Sequence, residues 1–117
     1  MRLDELARRI GARVLTDEKQ TGDIEVRRIF AGDRISDILD RAAGADLLVT
    51  HLVNNLIPRV AGLIDLPGIC ILNGSAPGAD VLQAAADHRM VLLVSPDGMY
   101  ETCGRLYAAL CENGQGD

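Results

Sequence analysis

The second half of the chain alternates short apolar runs with segments of helical apolar spacing. The runs are Leu47–Thr50, Ile69–Leu72 and Val91–Val94. Runs that are apolar at every position are typical of parallel strands covered by helices on both faces. A segment with helical spacing follows each run. The pattern therefore predicts a βαβαβα core with a mainly parallel sheet, an α/β fold.

Each of the three predicted helices has either a residue that favours a helix start or a regular apolar face. The first follows Asn55, which can cap it, and contains Pro58 in its first turn, where a missing N–H costs little. Pro77 is well placed to open the second helix. The third has the most regular apolar stripe of the chain, formed by Met99, Cys103, Leu106, Tyr107 and Leu110.

The first half predicts shorter elements. We expect a helix over Leu3–Ile10 that Gly11 ends, and a second helix with its apolar positions between Ile35 and Ala42. The other segments are predicted as a strand over 12–16, a loop over 17–23 and a bulged strand over 24–30. We expect one domain over residues 1–112, followed by a flexible polar tail over 113–117.

Composition and charge exclude several classes of protein. The net charge is −5, which would repel a nucleic-acid backbone, and three aromatic residues leave few rings on which bases could stack. No run of apolar residues is long enough to span a membrane, and the N-terminus lacks the apolar core of a secretion signal. Three cysteines without C-x-x-C spacing indicate reduced thiols in a cytoplasmic protein.

Small polar residues follow each of the three predicted parallel strands. Because the carboxyl ends of parallel strands meet at one edge of a sheet, these residues predict a ligand site there. Helix N-termini at the same edge favour an anionic ligand, so a nucleotide or a phosphorylated small molecule is the expected class. The same residue types also cap helices, and capping alone remains an alternative. The candidate ligand residues are Thr50, His51, Asn73, Gly74, Ser75 and Ser95.

His51 is the one candidate for acid–base catalysis at this edge. A general base needs an orienting carboxylate, which Asp37 or Asp97 could supply, so a hydrolase or transferase that uses His51 is a minor alternative. No phosphate-binding loop or dinucleotide fingerprint is present. Asp33, Asp37 and neighbouring Asp40 either bind a cation or favour a helix start. His51 and His88 are too far apart to form a metal site with the cysteines, so we expect no metal and no cofactor.

Gly104 lies within the last predicted helix, where a glycine costs about 1 kcal/mol relative to alanine. Close approach of a second subunit would offset this cost, with Tyr100 and Tyr107 flanking the contact. A contact within the same chain would explain the glycine equally well. The first alternative predicts a homodimer with these three residues at its interface.

Several motifs resemble the DRTGG domain family in their order and spacing. They are GDRISDIL from Gly32, LLVTH from Leu47, ILNG from Ile71 with Pro77 beyond it, and YETCGRLYAAL from Tyr100. The opening LDELARRIGARVLT is also similar to that family. The resemblance covers essentially the whole chain, although a literal DRTGG sequence is absent.

The resemblance implies a three-layer α/β/α fold like the N-terminal domain of HPr kinase/phosphorylase. In the family this domain has no assigned catalytic residues, and its role is regulatory or dimer-forming. We therefore expect a non-catalytic regulatory or dimerisation module of a cytosolic bacterial or archaeal protein system. The alternative is a small-molecule sensor that binds its ligand at the edge of the sheet.

Overall fold

A computed structural model describes residues 1–112, and the tail predicted at 113–117 lies outside the described residues. Within the described part, helices and strands alternate along the chain. Their bounds, in chain order, are α1 Leu3–Ile10, β1 Arg13–Val14, α2 Glu18–Thr21, β2 Ile29–Ala31, α3 Ile35–Arg41, β3 Leu47–Thr50, α4 Leu56–Leu63, β4 Gly68–Ile71, α5 Ala79–Asp87, β5 Val91–Val94 and α6 Met99–Glu112.

The strands form one sheet in the order β1-β5-β4-β3-β2. β2, β3, β4 and β5 are parallel to one another, and the short β1 pairs antiparallel with β5 at one edge. Every residue of β3, β4 and β5 is buried, as expected for strands covered on both faces. The predicted mainly parallel sheet is confirmed.

Alternate residues of the strands enter two separate cores. In β3, Leu47 and Val49 face α1 and α6, while Leu48 faces the side of α3, α4 and α5. The same alternation in β4 places Cys70 in the first core and Ile69 in the second. The molecule therefore has the three layers, helices on both sides of a sheet, that the family resemblance implied.

The segment between α1 and α3 differs from its predicted structure. The predicted loop over 17–23 contains α2, whose start is capped by the Asp17 carboxylate accepting from the Lys19 N–H. Of the strand predicted over 24–30, only Ile29 and Phe30 lie in β2, which continues to Ala31. The first part of the predicted strand follows the N-terminus instead, since the Leu3 N–H donates to the Ile24 carbonyl and the Val26 N–H donates to the Met1 carbonyl.

Two helix starts also differ from prediction. Asn55 makes no side-chain capping bond, and Oδ1 of the preceding Asn54 accepts from the Leu56 N–H instead, at 3.0 Å. α5 begins at Ala79, two residues beyond Pro77, because Gly78 is extended and serves as its N-cap.

The buried face of α6 is rotated from the predicted stripe. The buried residues are Thr102, Leu106, Ala109 and Leu110, while Tyr107 is 64% exposed. The prediction that Tyr107 belongs to the core stripe is therefore wrong. The reason is that Thr102, although polar, is buried with its hydroxyl 2.7 Å from the Ser95 hydroxyl, which turns the opposite side of α6 to solvent.

Candidate functional site

The loops that follow β2, β3, β4 and β5 lie side by side along one edge of the sheet, which we call the rim. The pairing places Ala31 beside Val49, Thr50 beside Ile71 and Ile71 beside Val94. The parallel strands thus bring Asp33, His51, Asn73 and Ser95 to one edge in that order, as the sequence predicted for the last three.

Asp33 is the central acceptor at the β2 end of the rim. Its Oδ1 accepts from the Thr50 hydroxyl at 3.0 Å and from the His51 backbone N–H at 2.6 Å, and its Oδ2 lies 2.8 Å from His51 Nδ1. Partial burial alone would raise the pKa of Asp33, but the hydrogen bonds from His51 and Thr50 outweigh it and hold the pKa below its ordinary value of 3.8. Asp33 is therefore an anion at neutral pH.

The Asp33 carboxylate fixes the His51 ring. Because Asp33 Oδ2 is an acceptor, Nδ1 carries the proton in the neutral imidazole, and Nε2 is left as an acceptor. Within residues 1–112 no hydrogen bond reaches Nε2, and the His51 side chain is 45% exposed. The histidine is thus oriented and presents Nε2 as its open position.

The carboxylate that orients His51 differs from the two predicted. Asp37 lies 3.9 Å from Nε of Arg34, the N-cap residue of α3, and Asp97 lies 3.1 Å from Arg105 Nη1. The sequence assigns Asp33 either to a cation site or to a helix start, and not to His51. The signal that identifies it is positional, since Asp33 and His51 each follow a paired strand residue by two positions.

Thr50 and Ser95 have buried hydroxyls that are used within the chain. Besides donating to Asp33, the Thr50 hydroxyl accepts from the Leu52 N–H at 3.2 Å. The Ser95 hydroxyl lies 2.7 Å from that of Thr102 and accepts from the Asp97 N–H at 3.2 Å. Both side chains therefore hold rim loops in place.

The turn Asn73–Gly74–Ser75 is also bonded internally. The φ values of Asn73 and Gly74 are 60° and 62°, and the turn places both backbone N–H groups against the β5–α6 loop. The Asn73 N–H donates to the Asp97 carbonyl at 2.9 Å, and the Gly74 N–H donates to the Ser95 carbonyl at 2.8 Å. The Ser75 hydroxyl donates to the Leu72 carbonyl at 2.9 Å. These backbone donors are not open to a ligand.

Few rim groups remain for recognition of a small molecule. His51 Nε2 and the exposed Asn73 side chain are the two from the predicted set that make no hydrogen bond within residues 1–112. Asp97 Oδ2 is buried beside Arg105, without good hydrogen-bond geometry to any group in the described part of the chain. The same residues contain no cluster of three His, Cys, Asp or Glu side chains that could hold a metal ion.

The residues predicted for a subunit interface lie on α6. Tyr100 is 86% exposed and Tyr107 is 64% exposed. A methyl group added at Gly104 would meet no atom within 4 Å among the described residues. Contact within this part of the chain therefore does not account for the glycine.

Searches against known proteins returned similarity in structure only. No protein-family model matches the chain, and no curated protein matches its sequence. In addition, no helix among residues 1–112 has the length and apolar character needed to cross a membrane.

The chain is similar in fold to the crystal structure of the CBS and DRTGG domains of the regulatory region of Clostridium perfringens pyrophosphatase, complexed with its activator diadenosine tetraphosphate. The TM-score is 0.72 at 9% sequence identity, and the match covers 90% of this chain and 45% of that one. The chain thus spans less than half the length of that structure. At this identity the likeness shows a shared fold: the chain has the α/β architecture of part of that structure.

Proposed function

We propose that this chain is a DRTGG-type regulatory module of the cytosol that acts as a homodimer and catalyses no reaction itself. The observation that carries the proposal is that most polar groups of the rim are already hydrogen-bonded within the chain. The hydroxyls of Thr50 and Ser95 and the backbone N–H groups of Asn73 and Gly74 hold the loops to one another. The fold shared with a regulatory region supports the same assignment.

The arrangement around His51 argues against acid–base catalysis. An imidazole oriented by a carboxylate is one part of a catalytic site, which also needs a nucleophile and donors for the developing charge. The hydroxyl nearest the pair in sequence, that of Thr50, is buried and donates to Asp33. The candidate oxyanion donors at Asn73 and Gly74 are bonded to carbonyl groups.

Sedimentation equilibrium over a micromolar concentration series tests the homodimer. The expected result is a reversible increase from the 12.5 kDa monomer to twice that mass. A single monomeric species at every concentration would contradict this part of the proposal.

A second candidate function is the sensing of a nucleotide or a phosphorylated small molecule at the rim. His51 Nε2 supports it, since a ring held by Asp33 offers a fixed hydrogen-bonding position at low entropic cost. The structural neighbour was solved with a dinucleotide activator, which makes nucleotides the first compounds to test.

Thermal shift measurements with ATP, diadenosine tetraphosphate and acetyl phosphate test the sensor. A ligand present at 100 times its Kd stabilises the folded state by about 2.7 kcal/mol. The shift should be lost in His51→Ala and kept in the matched variant His88→Ala, which changes the other histidine of the chain. Absence of a shift with all three compounds would contradict this candidate.

A further inference from the structure

α6 has a second uncharged face opposite the one that packs on the sheet. A stripe at helical spacing contains no charged residue, and the tyrosines in it are largely exposed. A helix with apolar residues on both sides is typical of one that is covered on both sides. The α6 stripe consists of Tyr100, Gly104, Tyr107, Ala108 and Cys111, with the half-buried Cys103 at its border with the core.

Gly104 lies at the crest of the α6 stripe. At 100° per residue it is directly opposite the buried face. The space above it is open, because a Cβ there would contact nothing within 4 Å in the described part of the chain. A glycine lowers helix stability and here supports no internal packing. What it does allow is close approach of another backbone.

The charged residues of α6 lie beside the α6 stripe and are largely engaged within the chain. Arg105 pairs with Asp97, and Glu112 pairs with Arg9 on α1. A basic protein or a nucleic acid would therefore find no matching charge on the stripe. An identical uncharged stripe matches it, and it avoids the repulsion expected between other surfaces of a chain whose net charge is −5.

The geometry points to a second copy of this chain as the occupant, with the two α6 helices packed antiparallel about a two-fold axis near Gly104. The inference rests on the proposed homodimer and specifies its surface. Under this symmetry Tyr100 packs on Ala108 of the partner subunit, and Tyr107 lies on the same face about one turn beyond Gly104. A large residue thus meets a small one on each side of the axis, so the stripe is complementary to its own copy, as an isologous interface requires.

The area available fits a weak, reversible dimer. A buried aromatic side chain covers about 150–250 Å². Two exposed tyrosines from each copy would then bury about 600–1,000 Å², and the rest of the α6 stripe brings the total near the lower limit of about 1,200 Å² for specific interfaces. Dissociation in the micromolar range is the expected result.

Sedimentation equilibrium of Tyr100→Glu/Tyr107→Glu tests the surface. The double variant places charge in the contact and should remain monomeric at concentrations where the unmodified chain is dimeric. The matched control is Leu63→Glu, which adds the same charge at a 78% exposed apolar position of α4 and should leave the dimer intact. Circular dichroism of each variant establishes that it is folded.

Gly104→Ala is the second variant, and it separates folding from association. Alanine favours the helix, so the urea midpoint of dilute monomer should rise. The added methyl group lies in the contact, so the dissociation constant of the dimer should rise about tenfold. A rise in both the urea midpoint and the affinity of the dimer would overturn the inference.

The remaining outcomes distinguish the two proposals. A dimer that survives both tyrosine substitutions overturns the α6 interface while the proposed homodimer stands. An unmodified chain that stays monomeric throughout contradicts the homodimer itself, and the α6 interface with it.

Discussion

His51 Nδ1 lies 2.8 Å from Asp33 Oδ2, although 18 positions separate the two residues in the chain. Their contact follows from the sheet, since each comes two residues after a member of the parallel pair Ala31 and Val49. The contact joins the loop after β2 to the loop after β3. One carboxylate therefore holds the His51 ring and joins two loops at the edge of the sheet.

Replacing Asp33 should weaken the fold at neutral pH and have little effect in acid. Because the folded-state pKa of Asp33 is lowered, its contribution is complete above the ordinary value of 3.8 and is lost as the pH falls through the folded-state pKa. Asp33→Asn should reduce the free energy of unfolding by about 1 kcal/mol at pH 7, a modest value because the side chain is 42% exposed.

Urea denaturation of the two proteins at neutral and acid pH measures this difference. Asp37→Asn is the matched control, since it removes a similar charge whose partner, Arg34, lies 3.9 Å away at the surface. Equal losses for Asp33→Asn at both pH values would contradict the assigned role of the carboxylate.

The neutral His51 ring should exist mainly as the Nδ1–H tautomer. Asp33 accepts the proton at Nδ1, so the alternative tautomer would place two acceptors 2.8 Å apart. Nitrogen-15 NMR of the labelled imidazole distinguishes the two forms. In Asp33→Asn the preference should weaken, whereas a predominantly Nε2–H ring in the unmodified protein would show that the hydrogen bond is absent in solution.

The Ser95 and Thr102 hydroxyls should depend on each other for their contribution to stability. Both are fully buried and lie 2.7 Å apart, so removal of one takes from the other the shortest of its hydrogen bonds and leaves it only a weaker contact with the Asp97 backbone. Ser95→Ala and Thr102→Val should each lower the free energy of unfolding by about 1–3 kcal/mol. The double variant should lose less than the sum, and chemical denaturation of all four proteins completes the cycle. Strict additivity would contradict the pairing.

The three cysteines should differ in their reaction with a thiol reagent. Burial raises the pKa of Cys70 to about 12 and also raises that of Cys103, while Cys111 is exposed. Only the thiolate reacts readily, so Cys111 should be modified first and Cys70 only on unfolding. Mass spectrometry of dilute protein measures the modification of each cysteine over time. In the control variant Cys111→Ser, the fast modification should be absent. Early modification of Cys70 in folded protein would contradict its burial.

The layered architecture was predictable because its signals are local. A run such as Val91–Val94 is apolar at every position, and a strand with apolar residues on both faces must be covered on both. The helical spacing after each run then supplies the covering layers. Short elements were less predictable, since α2 depends on a single capping carboxylate and the segment around Val26 pairs with the N-terminus rather than with β3.

The candidate site shows the limit of local patterns more clearly. The sequence located Thr50 and Ser95 at the carboxyl ends of strands, but a hydroxyl at such a position can face a ligand or bond a neighbouring loop. Their partners, Asp33 and Thr102, lie on other elements, so only the assembled structure decides between these alternatives.

What the sequence by itself determined is the set of buried strands and the edge at which their loops meet, because both follow from the order and periodicity of apolar residues. Tertiary structure alone decided which carboxylate orients His51 and which side of α6 is open. Those outcomes depend on contacts between residues distant in the chain, such as Asp33 with His51 and Ser95 with Thr102, which no local spacing encodes.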